Sequence, residues 1–342
     1  MNKLEPLKFG IIGCSRIAKR SVIPAIQKSE YAELEIIGSR STEKAKEFAK
    51  EFNCEKFGTY EDIISDDSVD AVYISTPIST HQEWSNKATA AGKHVYVEKS
   101  SAANLSQARE MVESAKENNV RIMEGFMFRF HPQHKKVKEL IKDGKIGEVK
   151  SFNGVFGFPA FPEGDIRYAS PGTGGGFLLD SGCYPICASR MIFEEEPVGV
   201  FFNRKSIPKT GLDVEGQAIL FYKNQKTATI SYANGNYYQA KYEVWGTDGV
   251  ISLDRAYSVP PDFTTKVTLQ YNAENNWEGR RTEIFEIPPN DHFLEMLDTF
   301  CLEVTGTKKA SFNFEQELLD QAKTMAATVR SNLDILWFKD LF

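Results

Sequence analysis

The feature that most limits what this chain can fold into is an alternation in its first third. The runs LKFGIIG (7–13), AELEIIG (32–38), DAVYIST (70–76), KHVYVEK (93–99) and VRIMEGF (120–126) read as strands, several nearly unbroken in apolar residues. Segments 42–52, 80–91 and 104–118 are rich in Ala, Lys, Glu and Gln, with apolar residues at helical spacing. Strands apolar on both faces need cover on both faces, and strands alternating with helices join in parallel. The pattern predicts a parallel sheet sandwiched by helices.

From about residue 149 the rhythm changes. A Gly-rich stretch and one helix (about 175–193) precede β-rich segments at 198–206, 214–222, 226–233, 237–246, 264–271 and 281–287, separated by turns such as KNQK, NGN and TDG. Short strands at short intervals predict an antiparallel sheet. Helical patterns at about 290–304 and 314–335 follow. The expectation is an α/β dinucleotide-binding domain of the Rossmann type over 1–125. Residues 126–342 would form an α+β domain with a large, mostly antiparallel open sheet, for substrate binding and oligomerisation.

Composition narrows the partners. With 41 Lys and Arg against 47 Asp and Glu the net charge is −6, and no long basic run stands out, which argues against nucleic acid. No apolar run approaches the roughly 18 residues of a membrane span, and MNKLEPLKFGIIGCS lacks a signal-peptide core. The five cysteines are scattered and odd in number, unlike a disulfide framework. A reducing, cytoplasmic setting is expected.

The first strand leads into Gly13-Cys14-Ser15-Arg16-Ile17-Ala18, which matches G-x-G-x-x-G/A except that Ser15 replaces the middle Gly. A tight turn at Gly13, a small residue near the pyrophosphate and a small Ala18 where helix meets strand are what a dinucleotide needs. Gly13, Ser15, Arg16 and Ile17 are the expected phosphate loop, with the Ser15 N–H available to a phosphate. At the end of the second strand, IIGSRSTEK offers Ser39 and Arg40 where an NAD site usually carries an acid. Hydroxyls and a guanidinium suit a 2′-phosphate, so NADP(H) is expected, with NAD the alternative. Arg40 as a solvated loop residue beside a helix cap at Ser41 or Thr42 is the competing reading.

Five stretches then combine: GIIGCSRIA (10–18), ISTPISTH (74–81), VYVEKS (95–100), EGFMFRFHPQ (124–133) and GGGFLLDSGCYPI (174–186). In their order and spacing the chain resembles the Gfo/Idh/MocA oxidoreductases, named for glucose-fructose oxidoreductase and inositol dehydrogenase. The resemblance implies that Glu98 and Lys99 fall on that family's Glu-Lys-Pro motif beside the nicotinamide, with Lys99 stabilising charge on the substrate oxygen. Ser100 departs from the motif, and the restriction a proline places on Lys99 is lost. It implies Tyr184 as proton donor and acceptor, its ionisation eased by the Lys99 cation, and Asp180 as holder of a substrate hydroxyl. Thr76, Pro77 and His81 would line the cofactor's ribose and nicotinamide side.

Taken without the resemblance, Tyr184 reads as an aromatic side chain packed on the sheet, and His81 as a helix-start residue facing water. Arg129, with His131, could reach a polyhydroxy substrate or simply lead into the next helix. Arg167, in GDIRYASPGTGGG (164–176), could contact substrate from a mobile segment. No metal site is expected, because Pro132 breaks the register of His131 and His134. Cys183 and Cys187 are expected to pack as small apolar residues.

The expected function is NADP(H)-dependent transfer of hydride to or from a secondary alcohol or ketone of a sugar or sugar derivative. The alternative is a non-catalytic NADP(H)-sensing or sugar-binding protein on the same fold. A homodimer or homotetramer through the second sheet is expected by resemblance alone.

Overall fold

The computed structural model describes residues 5–170, 173–273 and 279–331. Residues 171–172 of the Gly-rich segment, and the continuation of the last expected helix to 335 beyond Ser331, lie outside the described residues.

The first half is a doubly wound α/β unit. Its strands are β1 (Leu7–Ile12), β2 (Ala32–Gly38), β3 (Lys56–Gly58), β4 (Ala71–Ile74), β5 (His94–Glu98) and β6 (Ile122–Gly125), all parallel in the order β3-β2-β1-β4-β5-β6. All four residues of β4 are buried, as a strand covered on both faces requires. The helices are α1 (Ile23–Lys28), preceded by a π-turn at Ala18–Val22, then α2 (Thr42–Glu51), α3 (Tyr60–Ser65), α4 (His81–Ala90) and α5 (Leu105–Glu117). Side chains cap them where the sequence offers a short polar residue: Ser41 accepts from Lys44 N, and Asn104 from Gln107 N. β1 pairs with β2 on one side and β4 on the other, so the chain reverses direction across the sheet at β1/β4. At such a switch point the carboxyl ends of neighbouring strands open a crevice.

The second half begins with α6 (Pro132–Lys142) and continues with β7 (Val149–Phe158), α7 (Cys183–Phe193) and β8 (Gly199–Ser206). It goes on through β9 (Asp213–Phe221), β10 (Thr227–Asn234), β11 (Gln239–Gly246), β12 (Gly249–Leu253), β13 (Thr265–Asn272), β14 (Arg280–Ile287), α8 (His292–Val304) and α9 (Phe314–Arg330). The eight strands run β14-β13-β12-β11-β7-β10-β9-β8, antiparallel except where β7 and β10 are parallel. Sequence reading missed β3, β7 and β12. Helix α7 is buried along its whole length, so it carries no polar stripe to mark its faces. Phe201 and Phe221 stand exposed at the β8–β9 end of this sheet.

The two halves share packing. Leu318 of α9 joins the core cluster of the first sheet with Val95, Val97, Ile122 and Met111. Arg121, just before β6, donates through Nε to Glu315 at 2.7 Å and through Nη1 to Glu303 at 2.6 Å. These pairs tie the last two helices to the edge of the first sheet.

A pH consequence follows from the histidines buried beneath α6 and α8. Burial holds His131 down to about 4 and His292 down to about 3, their rings 5.7 Å apart. Both sit neutral in the fold but protonate near 6.5 when unfolded, so stability is present at neutral pH and is lost as pH falls from about 6.5 towards 4. The expected loss is about 2–3 kcal/mol for His292 between pH 6.5 and 4.5. Urea midpoints for wild type and His292→Leu test this: the variant should lose less on acidification, and parallel losses would refute it.

Candidate active site

At the first strand-to-helix turn Gly13 has φ of 113°, and a β-carbon there would lie 3.1 Å from the Ser75 carbonyl carbon. Both the left-handed backbone and the close approach to the β4 end require glycine. Ser15 serves the turn differently from its expected role. Its N–H turns back onto Gly13 O at 2.9 Å, and its Oγ accepts the Ala18 N–H at 3.0 Å. The neighbouring first-turn N–H groups, at Arg16 and Ile17, keep the donor character of a helix start and suit a phosphate. Arg16 and Ile17 both line the cavity described below.

At the end of β2, Ser39 is buried and its Oγ accepts from Ser41 N at 3.3 Å, while Ser41 caps α2. The capping alternative therefore holds for Ser41. Arg40 stays exposed at the sheet's edge, its charge near the Tyr60 hydroxyl. A glycine turn without room for a side chain, a helix start and an exposed guanidinium one strand away together fit a phosphorylated dinucleotide.

A cavity of about 360 Å³ opens where the strand ends of the first sheet face β7 and the segment before α7. Lys99 reaches it from the end of β5 and Asp180 and Tyr184 from the other half. Lys99 Nζ donates to Asp180 O at 2.7 Å and to Asp180 Oδ1 at 3.1 Å, and stands 4.9 Å from the centre of the Tyr184 ring. Burial works against the Lys99 charge, but Asp180 outweighs it and raises the ammonium above its ordinary pKa. Burial likewise resists ionising Asp180, yet Lys99 and Arg167 hold it below the usual carboxylate value. Arg167 donates through Nε to Asp180 Oδ2 at 2.7 Å and through Nη1 to Asp165 at 2.9 Å, with its guanidinium over the Phe161 ring.

For Tyr184 the structure corrects the expected electrostatics. Lys99 favours the phenolate, but burial is larger and the net shift is upward. The ring is packed among Phe126, Phe128, Phe156 and Tyr257, and its hydroxyl lies 3.8 Å from Met127 Sδ, a weak acceptor. In this environment the side chain is a phenol, and its proton is available to a stronger base.

The remaining expected residues divide. Glu98 lines the cavity and accepts from Tyr73 Oη at 2.7 Å; burial raises its pKa. Thr76 lines it as well, whereas Pro77 leads into a short 3₁₀ turn behind it. His81 borders the cavity but is only 1% exposed, so it does not face water; its ring nitrogens meet carbonyl oxygens instead. Arg129 is not at the cavity. Its guanidinium is buried against Glu317 of α9, with Arg190 on the same carboxylate, and lies over Phe312. An arginine in a core needs a carboxylate, and the one available belongs to a helix nearly two hundred residues away.

Sequence reading missed Arg20, Phe156, Phe158 and Phe161 in the cavity wall. Arg20 had a usable signal, since it follows Arg16 by one helical turn. Phe156 and Phe158 had none, because β7 was not recognised as a strand, and Phe161 lies in the loop that follows it.

Comparisons with known proteins bear on the family and the fold. Residues 7–126 match the model of an oxidoreductase family with an NAD-binding Rossmann fold, and residues 134–252 match the GFO/IDH/MocA C-terminal domain. A dTDP-3,4-didehydro-2,6-dideoxy-alpha-D-glucose 3-reductase of Actinomadura kijaniata is 32% identical, over 97% of each chain. A D-xylose 1-dehydrogenase (NADP(+)) of Haloferax volcanii is 33% identical, over 87% of this chain and 89% of its own. Among solved structures, that of KijD10, a 3-ketoreductase from Actinomadura kijaniata in complex with NADP and TDP-benzene, superposes with a TM-score of 0.87 at 32% identity, covering 96% of this chain and 98% of the other. With both halves matched and relatives aligned along nearly the whole chain, the protein belongs to the Gfo/Idh/MocA family of oxidoreductases.

Proposed function

We propose that the protein is an NADP(H)-dependent oxidoreductase that interconverts a ketone and a secondary alcohol on a sugar or sugar derivative, with Lys99 and Tyr184 acting as a pair. The observation that carries this reading is the Lys99 ammonium, fixed by Asp180 over the Tyr184 ring inside a cavity at the switch point of the first sheet. Support for the cofactor comes from Ser39 and Arg40 at the end of β2 and from relatives whose names specify NADP. Further support comes from structures of KijD10 with a single lysine changed to alanine and with a single tyrosine changed to phenylalanine.

Bound NADPH would supply the hydride. Lys99 places positive charge beside the oxygen on which negative charge develops. Tyr184, kept as a phenol by burial, gives its proton to that oxygen, and the resulting phenolate is held by the Lys99 cation. Asp180 keeps Lys99 charged and aimed, and Arg167 occupies the carboxylate oxygen that Lys99 leaves. A buried phenol is a better proton donor to an alkoxide than a proton acceptor at neutral pH.

Three measurements test this. With a panel of ketosugars and NADPH, Tyr184→Phe should lower kcat by about 10²- to 10⁴-fold while NADPH still quenches protein fluorescence; undiminished turnover would remove Tyr184 from the reaction. Arg40→Ala should raise KM for NADPH about tenfold, the loss of a charge-assisted bond, with little change for NADH; an unaltered preference would reject the 2′-phosphate assignment. Because the folded Tyr184 ionises only above its ordinary pKa, reductive kcat should stay level from neutral pH through moderately alkaline pH. A fall-off beginning near pH 8 would contradict its role as the proton donor.

A further inference from the structure

His81 stands at the start of α4, and every polar atom its ring meets is a carbonyl oxygen. Nε2 lies 2.8 Å from Thr76 O, at the strand end beside the cavity. Nδ1 lies 3.2 Å from both Ser100 O and Ser101 O, in the turn directly after Lys99. Carbonyls only accept hydrogen bonds, and a neutral imidazole has one N–H. A neutral ring therefore bonds on one side and presses a lone pair against oxygen on the other; only the imidazolium satisfies all three contacts. The shorter contact assigns the single proton of the neutral ring to Nε2 and leaves Nδ1 to take the second.

The surroundings set when that second proton arrives. The charged groups that share the cavity wall with His81 are Arg16, Arg20, Glu98, Lys99, Arg167 and Asp180; Glu124 of β6 accepts from Ser101 N, α4 itself carries Glu83 and Lys87, and α5, packed on α4, carries Arg109, Glu110, Glu113, Lys116 and Glu117. Among the described residues none of them bonds the ring. Burial lowers the His81 pKa while the three carbonyls pull against it, so the ring is neutral at physiological pH and gains its proton on the acidic side. Ser100 and Ser101 are already tied elsewhere: Ser100 Oγ donates to Leu179 O at 2.9 Å and Ser101 N to Glu124 Oε1 at 2.7 Å. These ties run to the second half and to β6, and neither reaches the cofactor side of the cavity.

We propose that His81 is a positioning residue with two settings: neutral, it holds the Thr76 strand end alone; protonated at Nδ1, it also clamps the Ser100–Ser101 turn and so fixes Lys99 relative to the cofactor side. The inference rests on Lys99 acting as described above. The first test does not depend on turnover. The chain has five histidines, so each ring can be assigned in nitrogen-15 NMR spectra by single replacement. Wild-type His81 should show the Nε2–H tautomer at pH 8 and take its second proton, at Nδ1, only below the ordinary imidazole pKa. An Nδ1–H tautomer at pH 8, or a ring that takes no proton at any pH at which the protein stays folded, overturns the proposal while leaving the Lys99 reading intact.

The second test uses the best ketosugar from the panel. Wild-type kcat should rise by about fivefold to tenfold as His81 protonates, roughly the effect of one added hydrogen bond. Burial also raises Glu124 to about 7, so it must be separated from His81. The rise should be absent in His81→Gln, which can donate but cannot change charge, and present in Glu124→Gln. A rise that survives His81→Gln, or that vanishes in Glu124→Gln alone, overturns the proposal.

Discussion

The structure depends on one buried charge contact, Lys99 with Asp180, which spans the two halves of the chain. Taking an ammonium and a carboxylate out of water costs several kcal/mol per ion, and their attraction recovers this only when further hydrogen bonds complete the geometry. Here the Asp180 carbonyl and Arg167 complete it. Such a contact is poor value as a source of stability, since apolar residues of equal volume would serve as well or better. Its place at the end of a central strand, against a tyrosine ring and facing a cavity, gives the pair a chemical reason to exist.

What holds the pair in place is largely remote from it. The first sheet reverses its winding between β1 and β4, which brings Gly13, Ser75 and Lys99 to one edge of the molecule. The second sheet presents β7 and α7 to that edge, and the wholly buried α7 anchors Tyr184 from behind. Helix α9 completes the core of the first sheet through Leu318 and receives the buried guanidiniums of Arg129 and Arg190 on Glu317. Freeing any of these would change how far Lys99 and Tyr184 stand apart, because a packed core transmits displacement.

Two misreadings share a cause. Arg129 was read as able to reach a polyhydroxy substrate or simply to lead into the next helix, yet its partner is Glu317, which no local pattern links to it. Tyr184 was expected to ionise more easily beside Lys99, and the Lys99 effect is present, but the aromatic residues around the ring outweigh it. In both cases the deciding quantity was burial by residues distant in sequence. The same holds for the capping role of Ser41 and the inward-turned N–H of Ser15, where backbone geometry assigned a group that residue type alone left open.

The sequence by itself determined the alternation of strands and helices in the first half apart from β3 and α3, the glycine turn, the position of Lys99 at a strand end and the family. These follow from periodicity, from backbone restrictions at single residues and from short motifs, all local properties. Only the tertiary structure decided that Asp180 bonds Lys99 rather than solvent, that Tyr184 is a protonated phenol, that Phe156, Phe158 and Phe161 wall the cavity and that His81 lies among three carbonyls. Those outcomes depend on distance and dielectric between segments far apart in the chain, and neither quantity exists until the chain has folded.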